Sequence, residues 1–223
     1  MSLNASRPNT NRMSNALKFG AMGWTAAWLA GYAIGSGSTP APESPGMPFR
    51  QAGTFTLTPE TTNATFTVAV IDLITVNGEF KKAGGMLVLG SDGRPNRVEV
   101  NLDSESADAG SEWLNEILLG PRFFNAKQFP QVAFRSASFT AEGDKLNAVE
   151  GELTMRGIAK PVTLKVNSFD CRKAVVDTAD QRARCTGEAS ASVKRTDFGM
   201  SSWMNSVAES IKIDIRFTAF AQQ

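Results

Sequence analysis

Apolar and polar residues alternate along most of the chain after about residue 49, and this period of two constrains the fold more than any other feature. The segments with apolar residues at alternate positions are 66–70, 98–102, 149–155, 162–166 and 211–217. Successive side chains of a strand point to opposite faces of a sheet, so each segment predicts a strand with one buried and one solvated face. Strands of this kind are typical of antiparallel sheets.

Further candidate strands bring the expected number to eight or nine, and they lie near 53–57, 80–89, 131–139 and 184–194. Polar turn sequences such as SDGRP (91–95) separate them, and many short strands with polar turns form a sandwich or an up-and-down barrel. The segment 184–194 favours the barrel, because its inward positions are nearly all small and leave room inside: Cys185, Gly187, Ala189, Ala191 and Val193. We therefore predict an all-β fold, an eight-stranded antiparallel up-and-down barrel.

One short helix interrupts the strand pattern and is expected to cap an end of the barrel. Ser111 is a good N-cap, Glu112 suits the helix dipole, and Gly120-Pro121 ends the helix. Its apolar face consists of Trp113, Leu114, Ile117 and Leu118, and Phe123 and Phe124 follow the helix. The face can plug the barrel end, and it can also form the wall or lid of a ligand cavity. The two interpretations are compatible, and the plug alone is the minimal one.

The first 48 residues differ in composition from the rest. Arg7, Arg12 and Lys18 are the only charges in 1–18, and 19–34 has none, which is typical of an export signal. As a helix the sixteen residues of 19–34 span about 24 Å, less than the ~30 Å hydrocarbon core, but no clean cleavage site follows. We therefore predict a signal peptide or membrane anchor (1–34), a Pro/Gly/Ser-rich linker (35–48) and the barrel domain (49–223).

The chain contains no histidine and only two cysteines. It therefore lacks Ser–His and Cys–His catalytic pairs and histidine-ligated metal sites, and we predict neither a catalytic residue nor a metal site. A net charge of +1 gives no electrostatic footprint for nucleic acid, so no nucleic-acid partner is expected.

Cys171 ends one candidate strand and Cys185 begins the next. A redox pair would be expected in C-x-x-C spacing, so a structural disulfide that staples the two strands is the better interpretation. Such a bond requires an oxidising compartment.

Four segments resemble the YceI-like proteins of the bacterial periplasm: VNGEF (76–80), FPQVAFRSASF (129–139), GELTMRGIAKPVTLKV (151–166) and KRTDFGM (194–200). The resemblance extends over essentially all of 49–223. It implies a lipocalin-like barrel that binds polyisoprenoid lipids or isoprenoid quinones in its bore. It also implies a periplasmic protein, either soluble or tethered to the inner membrane by residues 19–34.

The chain departs from the family pattern at histidine positions. Val70 and Arg156 stand where relatives often carry histidine, and the helix region offers only Asn115, Glu116 and Ile117. Any role of those histidines in binding a polar head or a metal therefore does not carry over.

The resemblance and the apolar pattern together predict non-enzymatic binding and carriage of an apolar isoprenoid lipid in the cell envelope, with no cofactor other than such a lipid or quinone. The residues expected to line the bore are Phe66, Val68, Val70, Phe80, Trp113, Leu114, Ile117, Leu118, Phe123, Phe124, Phe134, Leu153, Met155, Leu164, Phe198 and Trp203. Arg156, Lys160 and Arg195 are candidates for contacting a polar head group, the alternative being solvated charges at strand ends.

Two other functions stay open at the level of sequence. One is an isoprenoid-modifying enzyme on the same fold, with a carboxylate such as Asp197 as acid or base. The other is a structural or stress-protective envelope protein with a packed barrel. The expected partners are an isoprenoid lipid and, if the N-terminal segment is retained, a membrane. The oligomeric state is left open, with a homodimer as one option.

Overall fold

A computed structural model of the protein describes residues 51–71, 74–173 and 182–222. The predicted signal or anchor segment and the linker lie outside the described residues. The strands of the described part are β1 (Gly53–Leu57), β2 (Thr62–Val70), β3 (Ile74–Phe80), β4 (Ala83–Leu89), β5 (Pro95–Asp103), β6 (Ala107–Asp108), β7 (Gln131–Glu142), β8 (Lys145–Met155), β9 (Ile158–Arg172), β10 (Arg184–Lys194) and β11 (Val207–Ala221). The helix α1 spans Glu112–Leu119, and 3-10 turns lie at Pro59–Thr61, Ser104–Ser106 and Arg195–Phe198.

The strands form a closed barrel in which all pairs are antiparallel. Eight strands follow one another around the barrel in the order β1-β4-β5-β7-β8-β9-β10-β11, and β11 pairs back with β1. The other three continue this ring: β2 follows β1 along the same edge of β11, β3 pairs with β2, and β6 pairs with β3. The predicted eight-stranded up-and-down barrel is therefore confirmed. Its first three long strands are each broken into two pieces, which are β1 with β2, β3 with β4, and β5 with β6.

The breaks explain where the strand prediction was inaccurate. The candidate at 80–89 spans a kink at Lys81-Lys82 between β3 and β4, and most of β3 was not predicted. Gly78 stands at an inward position of β3, where an apolar side chain would be expected. Because glycine has no side chain, the alternation of apolar and polar residues is not visible in this strand. Between β1 and β2 the break lies at Pro59, a residue that cannot donate a ladder hydrogen bond.

The up-and-down order divides the connections between the two ends of the barrel. The β2–β3, β6–β7, β8–β9 and β10–β11 connections lie at one end, which we call the helix end because α1 belongs to the β6–β7 connection. The β4–β5, β7–β8 and β9–β10 connections lie at the opposite end, the far end. The disulfide joins β9 and β10 there, between the cross-strand partners Cys171 and Cys185 with a Cα–Cα distance of 4.0 Å, which confirms the predicted bond.

The helix has the predicted bounds. The Ser111 hydroxyl accepts a hydrogen bond from the amide of Leu114 at 3.3 Å, and the helix ends at Gly120. Asp108 fixes it to the barrel edge: its carboxylate accepts a 2.8 Å bond from the Asn115 side chain and pairs with Lys81. These contacts hold the Asp108 pKa well below its usual range.

No residue of α1 is buried, and Trp113 is 67% exposed, so the helix is a lid across the barrel end and not an inserted plug. Among the described residues, none of the helices is long and apolar enough to cross a bilayer.

Candidate functional site

The helix half of the barrel contains a cavity of about 240 Å³. One enclosed water needs roughly 10–15 Å³ on this scale, so the space is far larger than a packing defect. The far half is filled instead by side chains that water does not reach: Phe55, Leu57, Leu87, Leu89, Cys185 and Ala219. The hollow part of the barrel is therefore confined to the end that α1 covers.

The wall of the cavity is almost entirely carbon. Thr65, Arg195 and Ser206 are its only polar members among the described residues, and no carboxylate lines it. No cluster of three or more potential metal ligands occurs in the described part of the chain either. Such a cavity can bind an apolar molecule by excluding water.

Fifteen of the sixteen predicted bore residues line this cavity. They are Phe66, Val68, Val70, Phe80, Trp113, Leu114, Ile117, Leu118, Phe123, Phe124, Phe134, Leu153, Met155, Leu164 and Trp203. Phe198 does not, although it is buried. It belongs to the 3-10 turn Arg195–Phe198, where the alternation of β10 has already ended, so strand parity no longer gives the direction of its side chain.

Other lining residues were missing from the predicted site. They include Val76, Val100, Leu102, Val132, Val162, Ala191, Val193, Met200, Val207, Ile211, Ile213 and Ile215. Most lie at inward positions of predicted strands, so alternation could have found them. Met200 lies within the β10–β11 connection and Val207 directly follows it, where the sequence has no such signal.

Aromatic rings form the inner wall and the mouth. Phe66, Phe80 and Phe124 meet edge to face, with ring centroids 5.4–6.0 Å apart. At the mouth the ring of Phe123 packs against Trp203 at 5.5 Å, and the Arg122 guanidinium lies 5.8 Å from the Trp203 ring. The contacts of Phe124 with Phe66 and Phe80 tie the segment after α1 to strands β2 and β3.

Arg195 is completely buried and donates to backbone carbonyls. Its Nε bonds to Ala208 at 2.9 Å, one terminal nitrogen bonds to Met200 and Ser202, and the other bonds to Val207 and contacts the Met204 sulfur. These contacts use all five N–H groups of the guanidinium. Burial lowers the pKa of Arg195, but the residue holds the β10–β11 connection in place and has no donor left for a ligand head group.

The other two candidate cations differ from each other. Arg156 sits in the tight β8–β9 turn with φ 53°, followed by Gly157 with φ 72°, and donates to the carbonyls of Pro121 and Phe123. Two positive φ values in a two-residue hairpin loop are typical of a type I′ turn. Lys160 is the cross-strand partner of Leu153, is half-buried, and does not line the cavity.

The model of the YceI-like domain matches residues 55–219, which covers nearly the whole barrel. The chain belongs to the YceI-like family. Protein YceI of Salmonella arizonae and of Salmonella paratyphi B are each 28% identical to it over 127 residues, which cover 57% of this chain. The chain spans 64% of the length of these YceI relatives.

Solved structures show the same fold. BcnA of Burkholderia cenocepacia has a TM-score of 0.61 and 21% identity, covering 73% of this chain and 98% of BcnA. A polyisoprenoid binding domain from Saccharophagus degradans has a TM-score of 0.56 and 11% identity, covering 77% of this chain and 100% of that domain.

Proposed function

We propose that this YceI-like protein binds an apolar isoprenoid lipid, of the polyprenyl or quinone type, in the cavity at the helix end and carries it in the bacterial cell envelope. The observation that carries the proposal is the cavity itself. It measures about 240 Å³ and has an almost purely apolar wall, whereas the far half of the same barrel is packed with side chains. The solved domain from Saccharophagus degradans, described as polyisoprenoid binding, has the same fold and supports this ligand class.

Chain burial supplies the affinity in this proposal. Each buried CH₂ contributes about 0.8 kcal/mol before the costs of association, so even a short apolar chain gains several kcal/mol without a directional contact. The packed far half, with Phe55 and Leu87 fully buried, limits how deep the chain reaches. A long isoprenoid must therefore fold back within the cavity or leave part of its length at the mouth.

The polar end of the lipid would lie near the mouth. Of the three predicted head-group cations, Arg195 and Arg156 are engaged with backbone carbonyls, whereas Lys160 makes no hydrogen bond or ion pair with any described residue. Lys160 also stands on the same face of the sheet as Leu153, three residues after Gly157 of the β8–β9 turn. It is therefore our candidate for a head-group contact.

Carriage and not catalysis is favoured by the position of the carboxylates. Asp197, the acid considered for an enzyme, is exposed and does not line the cavity. A periplasmic location is supported by the Cys171–Cys185 disulfide, which needs an oxidising compartment, and by the basic then apolar sequence of 1–34.

The test is native extraction. Protein purified from its own envelope should release close to one isoprenoid lipid per chain when analysed by mass spectrometry. Ala191→Phe places a ring in the cavity wall and should reduce the bound lipid at least about tenfold, because the ring takes the volume that the chain needs.

A matched control places the same ring outside the barrel. Thr163 is exposed on β9, so Thr163→Phe should leave the lipid content unchanged. Absence of stoichiometric lipid in the parent protein would contradict the proposal. Equal lipid content in Ala191→Phe and Thr163→Phe would show that the lipid lies elsewhere.

A further inference from the structure

All the large apolar side chains that are strongly exposed in the described part of the chain lie at the helix end. They are Ile71, Ile74, Trp113, Ile158, Trp203 and Met204, which we call the mouth rim, and they are 37–67% exposed. Each of the four connections at this end contains or directly adjoins at least one of them. Single exposed apolar residues are ordinary on protein surfaces, but a group confined to one end marks an interaction surface.

The rim is continuous with the cavity wall. Trp113 and Trp203 are both exposed to water and line the cavity. The amide of Ile71 donates to the carbonyl of Ser206 at 2.7 Å, which joins the β2–β3 hairpin to the connection that carries Trp203. Apolar surface therefore runs from the outside of the protein into the cavity at this end.

Two rim residues hold backbone conformations that their side chains disfavour. Ile71 has φ 51° and Trp203 has φ 56°, in the left-handed region where glycine or asparagine is the usual choice. A β-branched residue at such a φ is rare, and here it gains little from burial because its side chain is exposed. Glycine or asparagine would adopt these two turn conformations with less backbone strain. The presence of large apolar side chains there therefore points to a function.

We propose that the mouth rim docks on the surface of a lipid bilayer, so that the cavity opens into hydrocarbon and not into water. This docking proposal rests on the proposed function. An isoprenoid lipid resides in a bilayer, and without docking it would have to cross water to reach the cavity. Tryptophan is one of the two residues enriched at membrane–water interfaces. A bilayer also fits the ring-like arrangement better than a second copy of the chain, since a second copy would close the mouth.

The chain before the barrel is long enough to permit this docking. The first strand starts at the far end, where Gly53 pairs with Leu89. With fifteen residues in β11 and the usual strand tilt, the barrel is about 40 Å tall. The segment 35–50 can extend to about 55 Å. If the apolar segment 19–34 is retained in a bilayer, the rim is able to reach the same bilayer.

The tryptophans provide a test on the full chain. The sequence has four, and Trp24→Phe with Trp28→Phe leaves only the two rim residues Trp113 and Trp203. We expect their fluorescence to shift to the blue and to be quenched at least about threefold by phosphatidylcholine vesicles with brominated acyl chains and no isoprenoid. A fully extracted, lipid-free preparation should behave in the same way.

The matched control puts the reporter at the far end. In a chain whose four tryptophans are all changed to phenylalanine, Asp144→Trp places one tryptophan in the β7–β8 turn, where the side chain is 90% exposed. Phenylalanine keeps both rim positions aromatic and apolar, and the N-terminal segment is the same as in the rim reporter, so this protein should dock in the same way, yet its fluorescence should not be quenched. Equal quenching at both ends, or none at the rim, would overturn the proposal.

A rim variant with Ile71→Asn, Ile74→Ser and Met204→Ser should lose most of the quenching of Trp113, and full retention would contradict the rim as the docking surface. If the rim fluorescence instead shifts with protein concentration without vesicles, and the sedimenting mass doubles, a second copy covers the rim and the proposal is wrong. Failure of the docking proposal can be distinguished from failure of the proposed lipid carriage. Docking is measured with vesicles that contain no isoprenoid, whereas carriage is measured by extracting the lipid bound to the purified protein.

Discussion

The ring of Phe66 occupies the space that a side chain at Gly78 would need. The two residues are cross-strand partners in β2 and β3, and a Cβ on Gly78 would lie 2.2 Å from the Cζ atom of Phe66. The ring therefore covers the glycine and stays flat against the barrel wall, where it lines the cavity without filling it. The glycine of the VNGEF segment thus keeps the cavity open.

Gly78→Ala should displace the Phe66 ring into the cavity. We expect a loss of about 1–3 kcal/mol in the free energy of unfolding from overpacking, together with a several-fold fall in bound lipid. Denaturant unfolding and extraction with mass spectrometry measure the two effects.

Gly187→Ala is the matched control for this change. Its Cβ would lie 2.6 Å from the Cζ atom of Phe217, so it should destabilise the barrel similarly, but neither residue lines the cavity. Equal lipid loss in both variants would refute the specific role of Gly78.

Arg195→Lys should loosen the β10–β11 connection. Lysine keeps the charge but cannot bond four carbonyls at once, and each buried group left unpaired costs about 1–3 kcal/mol. We expect a loss of at least about 3 kcal/mol in the free energy of unfolding, faster amide exchange across 199–208 and faster lipid release. Lys194→Ala, which removes only a surface ion pair with Glu209 at 3.8 Å, should change none of these. Unaltered exchange in Arg195→Lys would rule out its anchoring role.

Asp108→Asn should destabilise the protein at neutral pH but not in strong acid. The pKa of Asp108 is lowered chiefly by its hydrogen bond with Lys81, then by those from Asn115 and the Gly110 amide. A lowered carboxyl pKa gives stability that is present above the unfolded value of about 3.9 and is lost as the pH falls through the lower folded value. The stability difference between the two proteins should therefore be constant from pH 5 to 8 and shrink below about pH 4. A difference that stayed constant down to pH 2 would contradict this assignment.

Removing the disulfide should weaken the barrel without affecting the cavity. Cys171→Ser with Cys185→Ser opens a loop of thirteen residues, and loop-closure entropy sets the expected loss at about 3 kcal/mol. Because the bond lies at the far end, the lipid content should be unchanged at temperatures where the variant is folded. Thermal unfolding and extraction check the two expectations. A fall in lipid content without unfolding would show that the two ends are coupled.

Lipid binding should vary little between pH 5 and 8. The chain has no histidine, and Arg195 is the only ionisable residue among the described lining residues. Binding of a fluorescent isoprenoid analogue, measured across this range, should give a flat profile. A steep transition would mean that a titrating group controls entry.

The sequence by itself determined much of this protein. Period-two alternation predicted the barrel, Ser111 and Gly120-Pro121 predicted the bounds of α1, and the positions of Cys171 and Cys185 at strand ends predicted the disulfide. These features depend on neighbours in the chain, on caps and on the parity of strands, so the local sequence is sufficient to predict them.

The tertiary structure alone decided which half of the barrel is hollow. Parity shows that Phe55 and Phe66 both face inward, but only the register of distant strands shows that one fills the far half and the other lines the cavity. Phe198 is buried without lining the cavity because it lies in the 3-10 turn after β10, where strand parity no longer applies. The use of every Arg195 donor depends on the folded β10–β11 connection, which brings the Met204 sulfur and four backbone carbonyls around the guanidinium. Alternation sets the face on which a side chain lies, whereas closure of the sheet sets how much space remains beside it.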